Sequence, residues 1–147
     1  MVLPIWVFLI SLAFNIIIKI LTPFLGRFRS GIDSLLFCAV VAAFVGGPRS
    51  GLFYGFLIAA SYYITSSRRW HHAAFVIPLV AFMGFLAGIL EMPLVTLGLV
   101  IFFIYHAVSF VLFGLLLKNT GPGYTLFVIL NFITTYALLV IAGPYLA

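Results

Sequence analysis

Charged residues are scarce in this sequence. Asp, Glu, Lys and Arg together make up 6% of the 147 residues, whereas 66% are hydrophobic. In soluble domains about a quarter of the residues are charged. This chain therefore has too few charged residues to cover a surface that faces water. A helix needs roughly 20 apolar residues to cross the bilayer, which leaves room for about six spans and for no soluble domain. The sequence therefore predicts one transmembrane domain over residues 1–147.

Cysteine and acidic residues are rarer still. The single cysteine, Cys38, excludes a disulfide framework within the chain and a cysteine-based metal site. The two acidic residues, Asp33 and Glu91, fall at predicted span ends, and Asp33 lies in a first helical turn, where the helix dipole favours negative charge. His71 and His72 are adjacent and would point about 100° apart on a helix, too far to grip one metal ion. We expect no catalytic residue, metal or cofactor.

What the sequence does contain is a series of continuous apolar runs. The runs lack the alternation of period two that marks a membrane barrel, so they predict an all-α integral membrane protein. A compact bundle of about six transmembrane helices is expected. The predicted spans are Val2–Leu21, Ile32–Val45, Leu52–Thr65, Ala73–Leu90, Pro93–Leu117 and Tyr124–Ile141.

The second and third segments are short for membrane spans. They flank the run Gly46-Gly47-Pro48-Arg49-Ser50-Gly51, in which glycine and proline break a helix. Spanning helices need at least about 17 residues, and a re-entrant segment is tolerated only where protein or a cavity covers its backbone. The pair is therefore either two brief spans or a re-entrant hairpin.

The basic residues indicate an orientation. Cytoplasmic loops retain Lys and Arg, which puts the first, third and fifth predicted loops in the cytoplasm and both termini outside. The net charge of +5 is explained by this topology, without nucleic-acid binding. The cations of these three loops are Arg27, Arg29, Arg68, Arg69 and Lys118.

Glycines recur at helical spacing in two places. Small residues every four positions let helices approach closely, either within one chain or between a protein and its partner. We keep both interpretations, and the second predicts a docking face for another membrane protein. The candidate partner-binding residues are Gly47, Pro48, Arg49, Gly51, Gly55, Gly84 and Gly88.

Three polar side chains fall inside predicted spans. His106, Asn131 and Tyr136 would be costly in hydrocarbon unless they are hydrogen-bonded within the bundle or line a polar pathway. They are therefore the candidates for a ligand site or a polar pathway, should the chain carry one.

An ordered series of features covers roughly the first 65 residues: Asn15, Pro23, Ile32-Asp33, Gly47-Pro48-Arg49, Gly51 and Gly55-Phe56. This pattern resembles the MreD family of rod shape-determining membrane proteins, and the rest of the chain is similar only in hydropathy, length and number of spans. The resemblance implies a non-enzymatic scaffold of the inner membrane that docks an MreC-like partner in cell-wall elongation. It also implies cytoplasmic termini, against the charge rule, and Tyr63 stands where the family commonly has an acid.

Two alternatives remain open. Substrate-binding S components of energy-coupling-factor vitamin transporters are similar in plan, with six spans and a glycine-proline turn between the second and third. They usually present an Ala-x-x-x-Ala face on the first span, whereas this chain has Ala13 followed by Ile17. An accessory subunit of a larger membrane complex is the other alternative.

Overall fold

The chain folds as a bundle of helices. A computed structural model describes residues 2–25, 32–65, 70–112, 114 and 122–146. Within these residues all regular structure is helical, which confirms the all-α prediction. The helices are α1 (Val2–Leu25), α2 (Leu35–Thr65), α3 (Trp70–Ala87), α4 (Leu94–Val111) and α5 (Pro122–Leu146).

Four of these five helices are long and apolar enough to cross a membrane. They are α1, α2, α4 and α5, and α3 contains a shorter apolar stretch, His72–Ala87. Two predicted ends were misplaced because proline did not stop the helix. Helix α1 continues past Pro23 to Leu25, and α5 continues through Pro144 to Leu146. The prediction of a membrane protein is confirmed.

Helix α2 folds back on itself at Gly47. This glycine has φ 76° and ψ −175°, which lies outside the helical region. Glycine adopts such a positive φ more readily than other residues. The first half of α2 (residues 35–46) and its second half (residues 48–65) then run antiparallel, because Gly51 packs against Ala43 and Gly55 against Ala39. In a straight helix, residues 43 and 51 would lie about 12 Å apart. The predicted glycine-proline break is therefore a reversal of the chain.

The first half of α2 is the centre of the bundle. Every residue from Leu35 to Ala43 is buried. Helix α3 packs along α2, and α4 and α5 pack on each other and on α2. Helix α1 packs on α2 alone among the helices that the structure describes. The first half of α2 is consequently enclosed by protein, whereas α1 and α5 keep most of their surface for lipid.

The start of α2 lies deep inside the bundle. Ser34, directly before the helix, contacts Asn15 of α1. Asn15 lies ten residues before the end of α1 at Leu25, a helical distance of about 15 Å. At the other end, Gly46 lies beside Pro4, near the beginning of α1. Asp33 and Ser34 are thus level with the middle of a membrane-spanning helix, not with its end as the sequence predicted for Asp33.

Several predictions concern residues outside the described ranges. The basic positions Arg27, Arg29, Arg68, Arg69 and Lys118 all fall there. The orientation inferred from them stays a prediction.

Candidate functional site

The glycine stripes lie between the second half of α2 and α3. A methyl group added to Gly51 would collide with the Gly84 carbonyl, and one added to Gly88 would collide with the Pro48 backbone. At Gly55 the Val80 carbonyl oxygen would be 3.0 Å away. These contacts bring two backbones together, as small residues do between membrane helices. The stripes are therefore filled by intrachain packing.

The candidate partner-binding residues separate into two groups on this basis. Gly51, Gly55 and Gly84 are buried within the seam between α2 and α3. Arg49 is exposed at the reversal, where Gly47 and its neighbouring proline are half-buried. A partner can reach the reversal, whereas the seam is already occupied by the chain itself.

A polar cluster lies in the interior of the bundle. It consists of eight polar side chains, each at least nine-tenths buried. Four come from α1 and the entry to α2, and four from α4 and α5. They are Ser11, Asn15, Asp33, Ser34, His106, Ser109, Asn131 and Thr135.

Ser34 ties the entry of α2 to α1. Its backbone N–H donates to the Asn15 Oδ1 at 3.0 Å, and its hydroxyl lies 3.0 Å from the Ser11 carbonyl oxygen and 3.2 Å from the same Asn15 oxygen. An α-helix leaves its first N–H groups without intrahelical partners, and hydrocarbon offers none. Asn15 supplies the partner that lets α2 begin inside the bundle.

Asp33 joins the two sides of the cluster. Its Oδ1 accepts from the Leu35 N–H at 3.2 Å, an Asx turn that starts the helix. The carboxyl also faces the Asn131 amide of α5 and is within electrostatic reach of the Tyr105 hydroxyl of α4. The positive end of the α2 dipole points at the same group. One carboxyl therefore meets three helices.

His106 extends the cluster along α4. Its Nε2 lies 3.3 Å from the Asn131 Oδ1, so a proton on Nε2 is donated to that oxygen. The ring of Phe102 packs over the imidazole with centroids 4.2 Å apart, and the Tyr124 hydroxyl donates to the His106 carbonyl. His106, Asn131 and Asp33 thus form a continuous polar chain from α4 through α5 to α2.

Five buried polar atoms of the cluster make no hydrogen bond of good geometry within the described ranges, although the Ser11 and Ser109 hydroxyls lie near the Cys38 thiol and the Tyr105 hydroxyl. Buried polar atoms are nearly always paired with protein or ordered water, so this concentration marks the cluster as unusual. An unpaired polar group costs about 1–3 kcal/mol when it is buried. The atoms are Ser11 Oγ, Asn15 Nδ2, His106 Nδ1, Ser109 Oγ and Thr135 Oγ1.

The structure brings together two of the three predicted polar-pathway residues. His106 and Asn131 are in direct contact, whereas Tyr136 is 44% exposed on the outer face of α5 and stacks on Phe132. Glu91 is exposed in the turn between α3 and α4. Among the described residues no group of three His, Cys, Asp or Glu side chains could hold a metal ion.

Sequence reasoning missed the α1 side of the cluster and the central place of Asp33. One signal was present: Ser11 and Asn15 are four residues apart, so they lie on one face of an otherwise apolar helix. A polar pair on a single helix face indicates a buried partner. The sequence does not show that Ser34 and Asp33 are the partners, because this depends on the depth at which α2 starts.

A second feature is an apolar groove between α1 and α5, here named the α1/α5 groove. Its volume is about 320 Å³, and it lies at the end of the bundle that carries the chain reversal. The first half of α2 forms its floor. The groove is lined by Trp6 and Ile10 of α1, Phe37 and Val41 of α2, and Leu138, Ile141 and Ala142 of α5, among others.

Comparison with known proteins gives no relative for this chain: no family model, curated protein or solved structure matches it. The likeness to MreD and to S components rests on the sequence features named above.

Proposed function

We propose that the chain is a non-enzymatic scaffold of the inner membrane that resembles MreD and docks an MreC-like partner of the cell-wall elongation machinery. In this proposal the two halves of α2 count as separate short crossings. With α1, α3, α4 and α5 they give six passes, and the partner's single span lies against the bundle.

The observation that carries this proposal is the α1/α5 groove. The apolar stretches of α1 and α5 have 17% of their residues buried, against 56% in α2. The two helices therefore offer a long unpacked surface around an apolar cleft. Membrane helices associate through close van der Waals packing, which small residues permit. Ala142 lines the groove, and a methyl group on the adjacent Gly143 would meet nothing within 4 Å.

The position of the chain reversal supports docking of the partner at the α1/α5 groove. Gly46 lies beside Pro4, and the groove wall begins at Leu3 and Trp6. The exposed Arg49 is thus at the same end of the bundle, where it can meet polar residues of a partner that leaves the groove. The predicted docking face moves accordingly from the glycine seam to the groove and the reversal.

Two matched variants of α5 test this proposal. Ala142→Trp fills the groove, whereas Ala137→Trp adds the same side chain at an exposed position outside the groove lining. Each variant is co-expressed with a tagged MreC-like protein and purified in mild detergent, and the recovered complex is quantified. We expect recovery to fall about tenfold for Ala142→Trp, a change of about 1.4 kcal/mol, and to stay unchanged for Ala137→Trp. Equal recovery from both variants contradicts docking in the groove, and no recovery with the unmodified chain contradicts the scaffold.

The buried polar cluster favours a second candidate, the S component of a vitamin transporter. Polar groups inside a membrane bundle are the usual material of a substrate site. Thermal unfolding of the purified protein with and without a panel of water-soluble vitamins tests this alternative. Stabilisation by one vitamin, and co-purification of an ATPase module, would favour the S component over the scaffold.

A further inference from the structure

The Asp33 carboxyl has no role in the proposed scaffold. It is 6% exposed and lies at mid-depth of α1. The two basic residues within the described ranges, Lys19 and Arg49, are exposed and make no ion pair with it. A carboxylate in hydrocarbon costs several kcal/mol unless it is paired, and protonation removes that cost. Burial therefore favours the neutral acid, whereas the Leu35 N–H and the Asn131 amide favour the carboxylate.

The side chains next to this carboxyl can form hydrogen bonds with both its acid form and its carboxylate form. An amide donates through its nitrogen and accepts through its oxygen, so Asn131 can face a carboxylate or, turned over, a carboxylic acid. His106 can follow either orientation, since Nε2 donates in one tautomer and accepts in the other. The unpartnered His106 Nδ1 carries the ring proton in the second tautomer. The donor and acceptor roles along the series His106, Asn131 and Asp33 can therefore be reversed without movement of a helix.

We propose that the Asp33 carboxyl is a proton-binding site inside the membrane, bordered by Asn131 and, through it, by His106. In the bound state one carboxyl oxygen carries the proton. Release breaks this O–H bond and transfers the proton to bulk water. The carboxylate that remains is held by the Leu35 N–H, the amino end of α2 and the Asn131 amide.

The titratable side chains near the site come from three helices. Tyr105 of α4 lies near Asp33, near Tyr63 of α2 and near Tyr124 of α5. His106 is linked through Asn131. Helix α1 contributes Ser11 and Asn15, which do not titrate. We take the ligand to be a proton because Asn131 and His106 can each exchange donor and acceptor roles.

Infrared spectroscopy can observe this proton directly, because the chain has only two acidic side chains. The protein is purified in a maltoside detergent, which has no carbonyl group, and the carboxylic-acid stretching band is recorded as a function of pH. We expect the band at about pH 5.5 in the unmodified protein and in Glu91→Gln, its loss as the pH rises to about 8, and its absence when Asp33→Asn is combined with Glu91→Gln. Absence of the band at about pH 5.5, or its persistence in the doubly substituted protein, overturns the proposal. Loss of the band on adding sodium ions at constant pH also overturns it, in favour of a sodium site.

A second pair of variants tests the surroundings of the site. Asn131→Leu removes a donor to the carboxylate, so we expect the midpoint of the band's titration to rise by about one pH unit. Tyr136→Phe, on the exposed side of the same helix, should leave the midpoint unchanged. Circular dichroism verifies that both variants remain helical. An unchanged midpoint in Asn131→Leu contradicts the assignment of Asn131 to the site.

Discussion

The two sides of the bundle are built on opposite principles. Between the second half of α2 and α3, glycine backbones touch and leave no space for a methyl group. On the other side, α1 and α5 border a groove, and α1 is joined to the bundle through α2 alone within the described part of the chain. In lipid there is little hydrophobic drive between helices, so close packing and hydrogen bonds decide which helices stay together.

This difference separates a fixed part from an adaptable part. The α2/α3 side is held by backbone contact that tolerates no added atom. The α1 side is held by apolar packing of α1 on α2 and by the hydrogen bonds between Asn15 and Ser34. A partner or a lipid can therefore exchange on the groove side without disturbing the seam.

The seam should give the largest response to substitution. Gly51→Ala places a methyl group on the Gly84 carbonyl, and we expect a loss of about 3 kcal/mol, the upper range for overpacking. Gly143→Ala has open space and should be neutral or slightly stabilising, since alanine favours helix. Unfolding of both variants in a denaturing detergent titration gives the comparison. Similar losses would show that the seam is no tighter than α5.

The α1 contact should give a smaller response. Asn15→Leu leaves the Ser34 N–H without its partner in the interior, and we expect a loss of about 2 kcal/mol. Ile17→Leu, on the exposed face of α1, is the control and should change little. The free energy of unfolding is measured for both. A neutral Asn15→Leu variant would mean that the start of α2 finds another acceptor.

The link between α4 and α5 should be weaker again. A double-mutant cycle of His106→Phe and Asn131→Leu is expected to give a coupling energy of about 0.6 kcal/mol, the usual size for a hydrogen bond between membrane helices. Replacing Asn131→Leu by Tyr136→Phe in the cycle should give no coupling. A coupling as large in the control cycle would assign the effect to general packing of α5.

The groove should give the smallest change in stability. Ala142→Trp extends into existing space, so we expect its free energy of unfolding to stay within about 0.5 kcal/mol of the unmodified protein, as for a surface substitution. This holds even though the same variant is expected to lose its partner. A loss of several kcal/mol would mean that α1 and α5 close on each other in a membrane.

The sequence was sufficient to predict the helical class and the position of the chain reversal. Apolar runs and the glycine-proline turn are local signals, and both correspond to observed features. The ends of α1 and α5 were not predictable from proline alone, because a proline removes one backbone hydrogen bond and can kink a helix without ending it. Pro23 lies in the last turn of α1 and Pro144 in the last turn of α5.

The polar cluster was only half predictable. His106 and Asn131 are single polar residues inside apolar runs, which the sequence displays directly. The place of Asp33 depends on how deep α2 begins relative to α1, and no local pattern encodes that depth. The packing of Gly51 and Gly55 within the chain likewise depends on which helix lies next to them. Leucine at these two positions would disturb the fold, so such variants do not test a partner.

Because α2 starts deep inside the bundle, its insertion into the membrane depends on α1. Its first half contains about 12 residues, or about 18 Å of helix, which is too short to cross the hydrocarbon unaided. Its amino end also needs Asn15 of α1 to satisfy the Ser34 N–H. We therefore expect α1 to be in the bilayer first and both halves of α2 to insert together as a hairpin with Gly47 leading. The two halves of α2 would then enter the bilayer as one unit, after α1.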